Sequence, residues 1–297
     1  MSRKTLAQLL KDGTEILKES KIEEAGLDAW LLLEYETGKN RAYFYAHQEE
    51  EAGEETVRSY EEKILRRAAH IPLQHITHQG FFMGYEFFVD EHVLVPRQDT
   101  EILVEEALRL LKAEEAPVIL DMCTGSGCIL ISLLLEKAGS TGVGADLSQE
   151  ALCVAKRNAE SFQVTDRAEF VESNLFSADY FREKDGKEGP KYDMLISNPP
   201  YIPSEEIEEL MEEVRLYDPR MALDGKEDGL SFYREITGSA GRYLKPGGWL
   251  LYEIGCSQAN DVKIIMEAAG YQEVRILQDL AGLDRVVTGR MPGNTVQ

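Results

Sequence analysis

The stretch Val118-Ile119-Leu120-Asp121-Met122-Cys123-Thr124-Gly125-Ser126-Gly127-Cys128 decides the fold. Its first three residues are a short apolar run, as expected of a strand buried on both faces. Glycines 125 and 127 let the backbone turn tightly and approach a ligand with no Cβ in the way. The apolar residues 129–135 follow at once and read as a helix. The alternation then recurs: Gly142-Val143-Gly144-Ala145 leads to Asp146, and Ser148 opens a helix through Ala151, Val154, Ala155 and Ala159. Further strands are expected at 168–171, 194–197, 249–254, 274–277 and 285–288. Strands alternating with helices imply a mostly parallel sheet covered on both faces, with the ligand at the carboxyl ends of its strands. The expected fold class is α/β.

Upstream, residues up to about 75 read as helices. Leu6, Leu9, Leu10, Ile16 and Leu17 recur at helical spacing, as do Leu27, Trp30, Leu31 and Tyr35, and later Tyr60, Ile64, Leu65 and Ala68. The acidic run 49–55 between them reads as a solvated loop or helix face. From Gly80 the period changes. Phe81, Met83, Tyr85, Phe87 and Val89 alternate as one strand, Asp90-Glu91 turns, and His92-Val93-Leu94-Val95 reads as the returning strand of a hairpin. Asp99 or Thr100 can cap the helix that follows. The division is therefore a helical domain over 1–78, a β-hairpin linker over 79–97 and an α/β domain over 98–297.

Composition narrows the function. The 297 residues carry 32 Lys+Arg against 54 Asp+Glu, a net charge of −22. Such a chain repels phosphate backbones, so tight non-specific nucleic-acid binding is not expected. No apolar run approaches the roughly 20 residues that cross a bilayer. The start, MSRKTLAQLLKDG, lacks the long apolar region of a signal peptide. Cys123, Cys128, Cys153 and Cys256 form no CxxC pair, and no histidine follows His92. No metal site is expected, and reduced thiols suit a cytoplasmic protein.

A nicotinamide-binding turn wants a third glycine three residues after Gly127, where this chain has Leu130. Asp121, at the end of the first strand, suits a cationic ligand better than a pyrophosphate. Asp146 ends the second strand 25 positions further on, where an acid can accept both hydroxyls of a ribose. An adenosine ligand with a positive centre follows, and S-adenosyl-L-methionine has a sulfonium, an amino group and a free ribose diol.

Asn198-Pro199-Pro200-Tyr201 follows the fourth strand, on the same sheet edge as the glycine turn. Two prolines fix φ and remove two backbone donors. The Asn198 side-chain oxygen and the Pro199 carbonyl can then accept both hydrogens of one planar NH2 group, with Tyr201 against its flat face. This suits an amide or an exocyclic amine, whose lone pair is delocalised. Two acceptors raise electron density on that nitrogen and aim it at a methyl donor. No strong base is needed, because the methylated nitrogen is acidic and loses its proton readily.

With these motifs the chain resembles the class I S-adenosylmethionine-dependent methyltransferases, and more closely the bacterial release-factor glutamine methyltransferases, the PrmC/HemK family. The likeness runs through Pro72-Leu73-Gln74-His75-Ile76, Val95-Pro96-Arg97-Gln98-Asp99-Thr100-Glu101, the glycine turn, Asn198 to Tyr201, Asp218-Pro219-Arg220-Met221-Ala222-Leu223-Asp224-Gly225, Lys245-Pro246-Gly247-Gly248, Glu253-Ile254-Gly255 and Asp279-Leu280-Ala281-Gly282-Leu283-Asp284-Arg285. The resemblance implies a Rossmann-like seven-stranded sheet and N5-methylation of the glutamine in the Gly-Gly-Gln loop of class 1 peptide chain release factors, with S-adenosyl-L-homocysteine as product. It implies that Asp121, Cys123, Thr124, Gly125, Ser126, Gly127, Asp146, Leu147, Asn174, Leu175 and Asn198 hold the cofactor. It also implies that Asn198, Pro199, Pro200 and Tyr201 form the catalytic amide pocket, and that the helical domain grips the release factor. A monomer is expected.

This chain departs from the family pattern at four positions. Cys123 stands where the family usually has glycine, Gln98 replaces a usual proline, Asn174 sits where an acid is common, and Leu175 holds a position that can be aromatic. Arg97 is read either as a contact to substrate or cofactor or as an interdomain ion pair. Glu253 reads as orienting the active-site loops, and Asp224-Gly225 as a turn. The acidic residues from Glu205 to Glu213 read as the solvated face of one helix carrying Ile207, Leu210 and Val214, and residues 182–191 as a mobile loop. Two alternative substrates keep the chemistry: a glutamine on a ribosomal protein, and adenine N6 of nucleic acid, which the charge disfavours. A non-catalytic binding module is disfavoured by the intact Asn198 to Tyr201 and Asp146.

Overall fold

The computed structural model describes residues 4–182 and 189–293, so 183–188, most of the expected mobile loop, lie outside the described residues. The chain divides into two compact units, Met1–Gln79 with Met211–Tyr217, and Gly80–Leu210 with Asp218–Gln297.

The first unit is helical: α1 Leu6–Glu19, α2 Ala25–Thr37, α3 Arg41–Ala46, α4 Glu54–Ala68 and α5 Leu73–Thr77. Thr5 and Gln8 form a reciprocal capping box at the start of α1. The apolar faces of α1, α2 and α4 meet in a core that includes Leu9, Leu17, Leu32, Leu33, Tyr60 and Ile64. The acidic run is more than a solvated face. The Gln48 and Glu50 carbonyls accept from the Ala7 and Leu6 amides, satisfying donors that the first turn of α1 leaves open. Arg67 of α4 is buried between Asp28 and Glu213, at 2.6 Å from each.

The second unit opens with a hairpin, β1 Gln79–Phe82 and β2 Tyr85–Phe88. This corrects the expected register. The turn is Met83-Gly84, both with positive φ, and His92 to Val95 are not a strand. Apolar alternation running through a two-residue turn hides it from a period-2 reading. The hairpin also packs into the core of this unit, with Phe82 and Phe87 fully buried beside Leu103 and Val104.

Next come α6 Glu101–Leu110, β3 Val118–Met122, α7 Cys128–Glu136, β4 Thr141–Asp146, α8 Gln149–Ser161, β5 Ala168–Glu172 and β6 Tyr192–Ser197. After them lie α9 Glu212–Tyr217, α10 Arg220–Leu223, α11 Ser231–Ala240, β7 Leu244–Glu253, α12 Ala259–Ala268, β8 Gln272–Gln278 and β9 Asp284–Arg290. The seven-stranded sheet has the order β5-β4-β3-β6-β7-β9-β8, in which only the pairs involving β9 are antiparallel. This is the expected α/β architecture. Strand order reverses between β3 and β6, which opens a crevice at their carboxyl ends.

The single acidic helix expected over 205–214 is two pieces. A 3-10 turn, Glu206–Glu209, buries Ile207 in the second unit, Leu210 is extended, and α9 belongs to the first unit. The acids find separate cations: Glu208 meets Arg220 at 3.0 Å, while Glu213 meets Arg67.

Candidate active site

A cavity of about 390 Å³ opens at the carboxyl ends of β3, β4 and β6. One wall is the glycine turn. The Thr124 amide donates to the Ala145 carbonyl at 3.1 Å, and the Gly125 amide donates to Asp146 Oδ2 at 2.9 Å, so the turn is fastened to β4. Gly127 has φ +78, and a Cβ there would meet Ile131 and Ala155 at 3.0 and 3.2 Å. Glycine is required for the left-handed turn and for the close approach of α7 to α8. Asn158 of α8 holds the turn from behind through the Ser126 carbonyl, at 2.9 Å.

Asp146 lines the cavity half-buried. Burial pushes its carboxyl above the usual range, and the Ser148, Gly125 and Leu147 amides pull it back. Oδ1 accepts from the Ser148 amide and Oδ2 from the Gly125 amide, both at 2.9 Å, and the remaining lone pairs are available to a ligand diol. A Cβ added at Gly125 would meet nothing within 4 Å, so the turn's backbone has room for a ligand to approach. Leu147, Asn174 and Leu175 also line the cavity. This wall of carboxylate, open backbone and aliphatic side chains fits an adenosine with a free ribose.

Cys123, Thr124 and Ser126 share that wall. Cys123 holds φ +63, in the left-handed region that a glycine would occupy freely, and burial drives its thiol far above the range in which it ionises. Asp121 is not brought to the cavity. It is fully buried beneath the turn, accepts from the Thr124 hydroxyl at 2.6 Å, and burial pushes its carboxyl up to about 7.

Asn198 and Pro200 line the same cavity from the end of β6. The loop they begin is held underneath. Gln258 donates to the Tyr201 carbonyl at 2.8 Å, the Ile202 amide donates to the Leu223 carbonyl at 3.0 Å, and the Ser204 hydroxyl donates to Asp224 at 2.6 Å. At Gly225 a Cβ would meet the Tyr201 backbone at 2.7 Å, so Asp224-Gly225 is a turn on which the Asn-Pro-Pro-Tyr loop rests. Tyr201 itself is half-buried, and burial pushes its phenol up to about 12.

Arg97 lines the cavity half-exposed and pairs with the buried Asp218 at 3.2 Å; both belong to the second unit, so the pair is not the expected interdomain one, and Arg97 keeps a face toward the ligand space. Sequence reasoning missed Thr100 and Gln258. Thr100 makes no cap to α6; its Oγ1 accepts from Asn198 Nδ2 at 3.4 Å, while Asp99 pairs with Arg285 at 3.3 Å. A cap-like residue in front of a helix gives no hint that its side chain is used elsewhere.

Residues 8–77 match the PrmC N-terminal domain, and 98–215 match the methyltransferase small domain. The release factor glutamine methyltransferase of Clostridium acetobutylicum is 38% identical over 272 residues, which cover 92% of this chain and 93% of that protein. The chain belongs to the release factor glutamine methyltransferase family. The family member of Geobacter sulfurreducens is 39% identical over 287 residues, covering 97% of each chain. Among solved structures, the hMettl16 catalytic domain in complex with the MAT2A 3'UTR hairpin 6 shares the fold at TM-score 0.55 and 14% identity, over 82% of this chain and 84% of that one. In this methyltransferase family member, Cys123, Asn174 and Leu175 all fall on the cavity wall, whereas Gln98 opens the 3-10 turn before α6.

Proposed function

We propose that this enzyme methylates N5 of the glutamine in the Gly-Gly-Gln motif of class 1 peptide chain release factors, and that its cofactor is S-adenosyl-L-methionine. The observation that carries the reading is that Asn198 and Pro200 line the same cavity as Asp146 and the glycine turn, so an amide and an adenosine can be held side by side. Family membership supports the same substrate. Bound against Asp146, S-adenosyl-L-methionine supplies a sulfonium-activated methyl group and leaves as S-adenosyl-L-homocysteine.

The chain's own part is to position and to desolvate. Asn198 Oδ1 and the Pro199 carbonyl accept the two amide hydrogens, which raises electron density on the nitrogen and aims it at the methyl group. Tyr201 covers the flat face of the amide. Its phenol stays protonated at neutral pH, so it is no base, and the proton released by the methylated nitrogen passes to water. The helical unit grips the release factor away from its reactive loop. The enzyme acts as a monomer in the cytoplasm. The −22 charge supports a protein substrate over a nucleic acid. No helix among the described residues is long and apolar enough to cross a membrane.

The test is competition. Labelled S-adenosyl-L-methionine is offered with an unmodified class 1 release factor, a ribosomal-protein fraction and adenine-containing DNA together. Label is expected on the release factor; label on either other substrate replaces it.

A further inference from the structure

We propose that Glu253 sets which way the Asn198 carboxamide faces, acting through the Thr100 hydroxyl, and so is a positioning residue of the transfer reaction. The proposal rests on the glutamine-methylation reading. Sheet register brings the groups together. Ser197 of β6 pairs with Tyr252 of β7, so the next residues, Asn198 and Glu253, are neighbours at the carboxyl edge. On the other side Glu253 pairs with Val286 of β9, next to Arg285.

Glu253 is buried at 3% exposure, as is Thr100, and its Oε2 has no hydrogen-bond partner among the described residues. Burial pushes its carboxyl up to about 7, while the Thr100 hydroxyl, the Arg285 guanidinium and the Asn198 carboxamide favour the charged form. The other groups facing it are Asp99, which opposes ionisation, and Tyr201, Tyr233 and Cys128, all neutral because burial raises their pKa values. Arg285 is itself held by Asp99 and Asp279, at 3.3 and 3.1 Å.

The logic is the polarity of a hydrogen-bond chain. A carboxylate only accepts, so the Thr100 hydroxyl, which favours the charged form of Glu253, directs its single proton to that carboxylate. The Thr100 lone pairs then remain for Asn198, and Nδ2 occupies that position at 3.4 Å. With Nδ2 turned inward, Oδ1 is left for the cavity that Asn198 lines, as an acceptor for the substrate NH2. A protonated Glu253 can donate to Thr100 instead. The Thr100 hydroxyl then donates to Oδ1, and the flipped amide presents its own NH2 to the substrate NH2, donor against donor. The buried acid thus specifies the acceptor face of Asn198 without touching the substrate.

The test uses the full chain with labelled S-adenosyl-L-methionine and an unmodified class 1 release factor. Glu253→Gln and Thr100→Val are expected to lower kcat by roughly ten- to a hundredfold, the scale of a misplaced reacting group. KM for the release factor and Kd for the cofactor, measured by calorimetry without the release factor, should hold within about threefold, since a misaimed Asn198 affects alignment rather than binding. Thr100→Ser, which keeps the hydroxyl, should restore kcat. Wild-type kcat should fall on the acid side, and Glu253→Gln should be flat over the same range. Three outcomes overturn the proposal alone: a Glu253→Gln enzyme with wild-type kcat, an acid limb that persists in it, or cofactor Kd weakening in step with kcat. A wild-type enzyme that leaves the glutamine unlabelled overturns the substrate reading, and this proposal with it.

Discussion

Asp146 Oδ2 accepts the Gly125 amide at 2.9 Å, and this bond ties the end of β4 to the glycine turn that follows β3. One carboxylate therefore shapes the cavity wall and offers the ligand its remaining lone pairs. Asp146→Ala should weaken binding of S-adenosyl-L-methionine by about 2–3 kcal/mol, the scale of lost charge-assisted hydrogen bonds. Calorimetric titration measures it, and an unchanged Kd would remove Asp146 from the site.

Asn198→Ala separates acceptor from cofactor. It deletes one of the two acceptors for the amide hydrogens and leaves the turn and Asp146 intact. Turnover should drop by about a hundredfold or more, as when one member of a preorganised set is lost, with cofactor binding retained. Steady-state kinetics showing near-normal kcat would rule out the amide pocket.

Cys123 holds a left-handed backbone at φ +63. Cys123→Gly should fold with a Tm within about two degrees of the parent, because relief of the turn offsets the lost side chain and the added chain entropy. Cys123→Val puts a β-branched residue in the same conformation and should cost about 1–3 kcal/mol. Thermal melts of the two variants decide it; a valine variant as stable as the parent would show that the turn yields.

Gly225 and Gly238 form a contrasting pair. A Cβ at Gly225 runs into the Tyr201 backbone, so Gly225→Ala should displace the Asn-Pro-Pro-Tyr loop, costing about 1–3 kcal/mol and most of kcat with cofactor affinity kept. Gly238 lies inside α11 with nothing within 4 Å of an added Cβ, and Gly238→Ala should stabilise by about 0.5–1 kcal/mol. Chemical denaturation of both variants, with kinetics on the first, checks the signs; equal effects at the two sites would remove the steric argument.

What was legible in the sequence follows the range of the interaction. The strand cores at 118–120 and 194–197 are short runs dominated by apolar residues, and the Ser148 side-chain oxygen accepts from the Ala151 amide three residues on, so local patterns suffice. The Met83-Gly84 turn was hidden because apolar alternation carries on through it. The break at Leu210 was hidden because Ile207, Leu210 and Val214 keep helical spacing across it. Asn198 and Asp146 could be placed from their positions at strand ends. Thr100 could not, since its partner Asn198 lies 98 residues along the chain and only the register of β6 and β7 brings in Glu253.

The central claim is that this cavity methylates one glutamine amide, and peptide mass spectrometry tests it most directly. An unmodified class 1 release factor is incubated with enzyme and S-adenosyl-L-methionine, digested, and its Gly-Gly-Gln peptide sequenced by fragmentation. A single added methyl on the glutamine side chain, absent without enzyme, is the predicted result. A Gly-Gly-Gln peptide that stays unmodified while methyl groups accumulate on another residue or another molecule would contradict it.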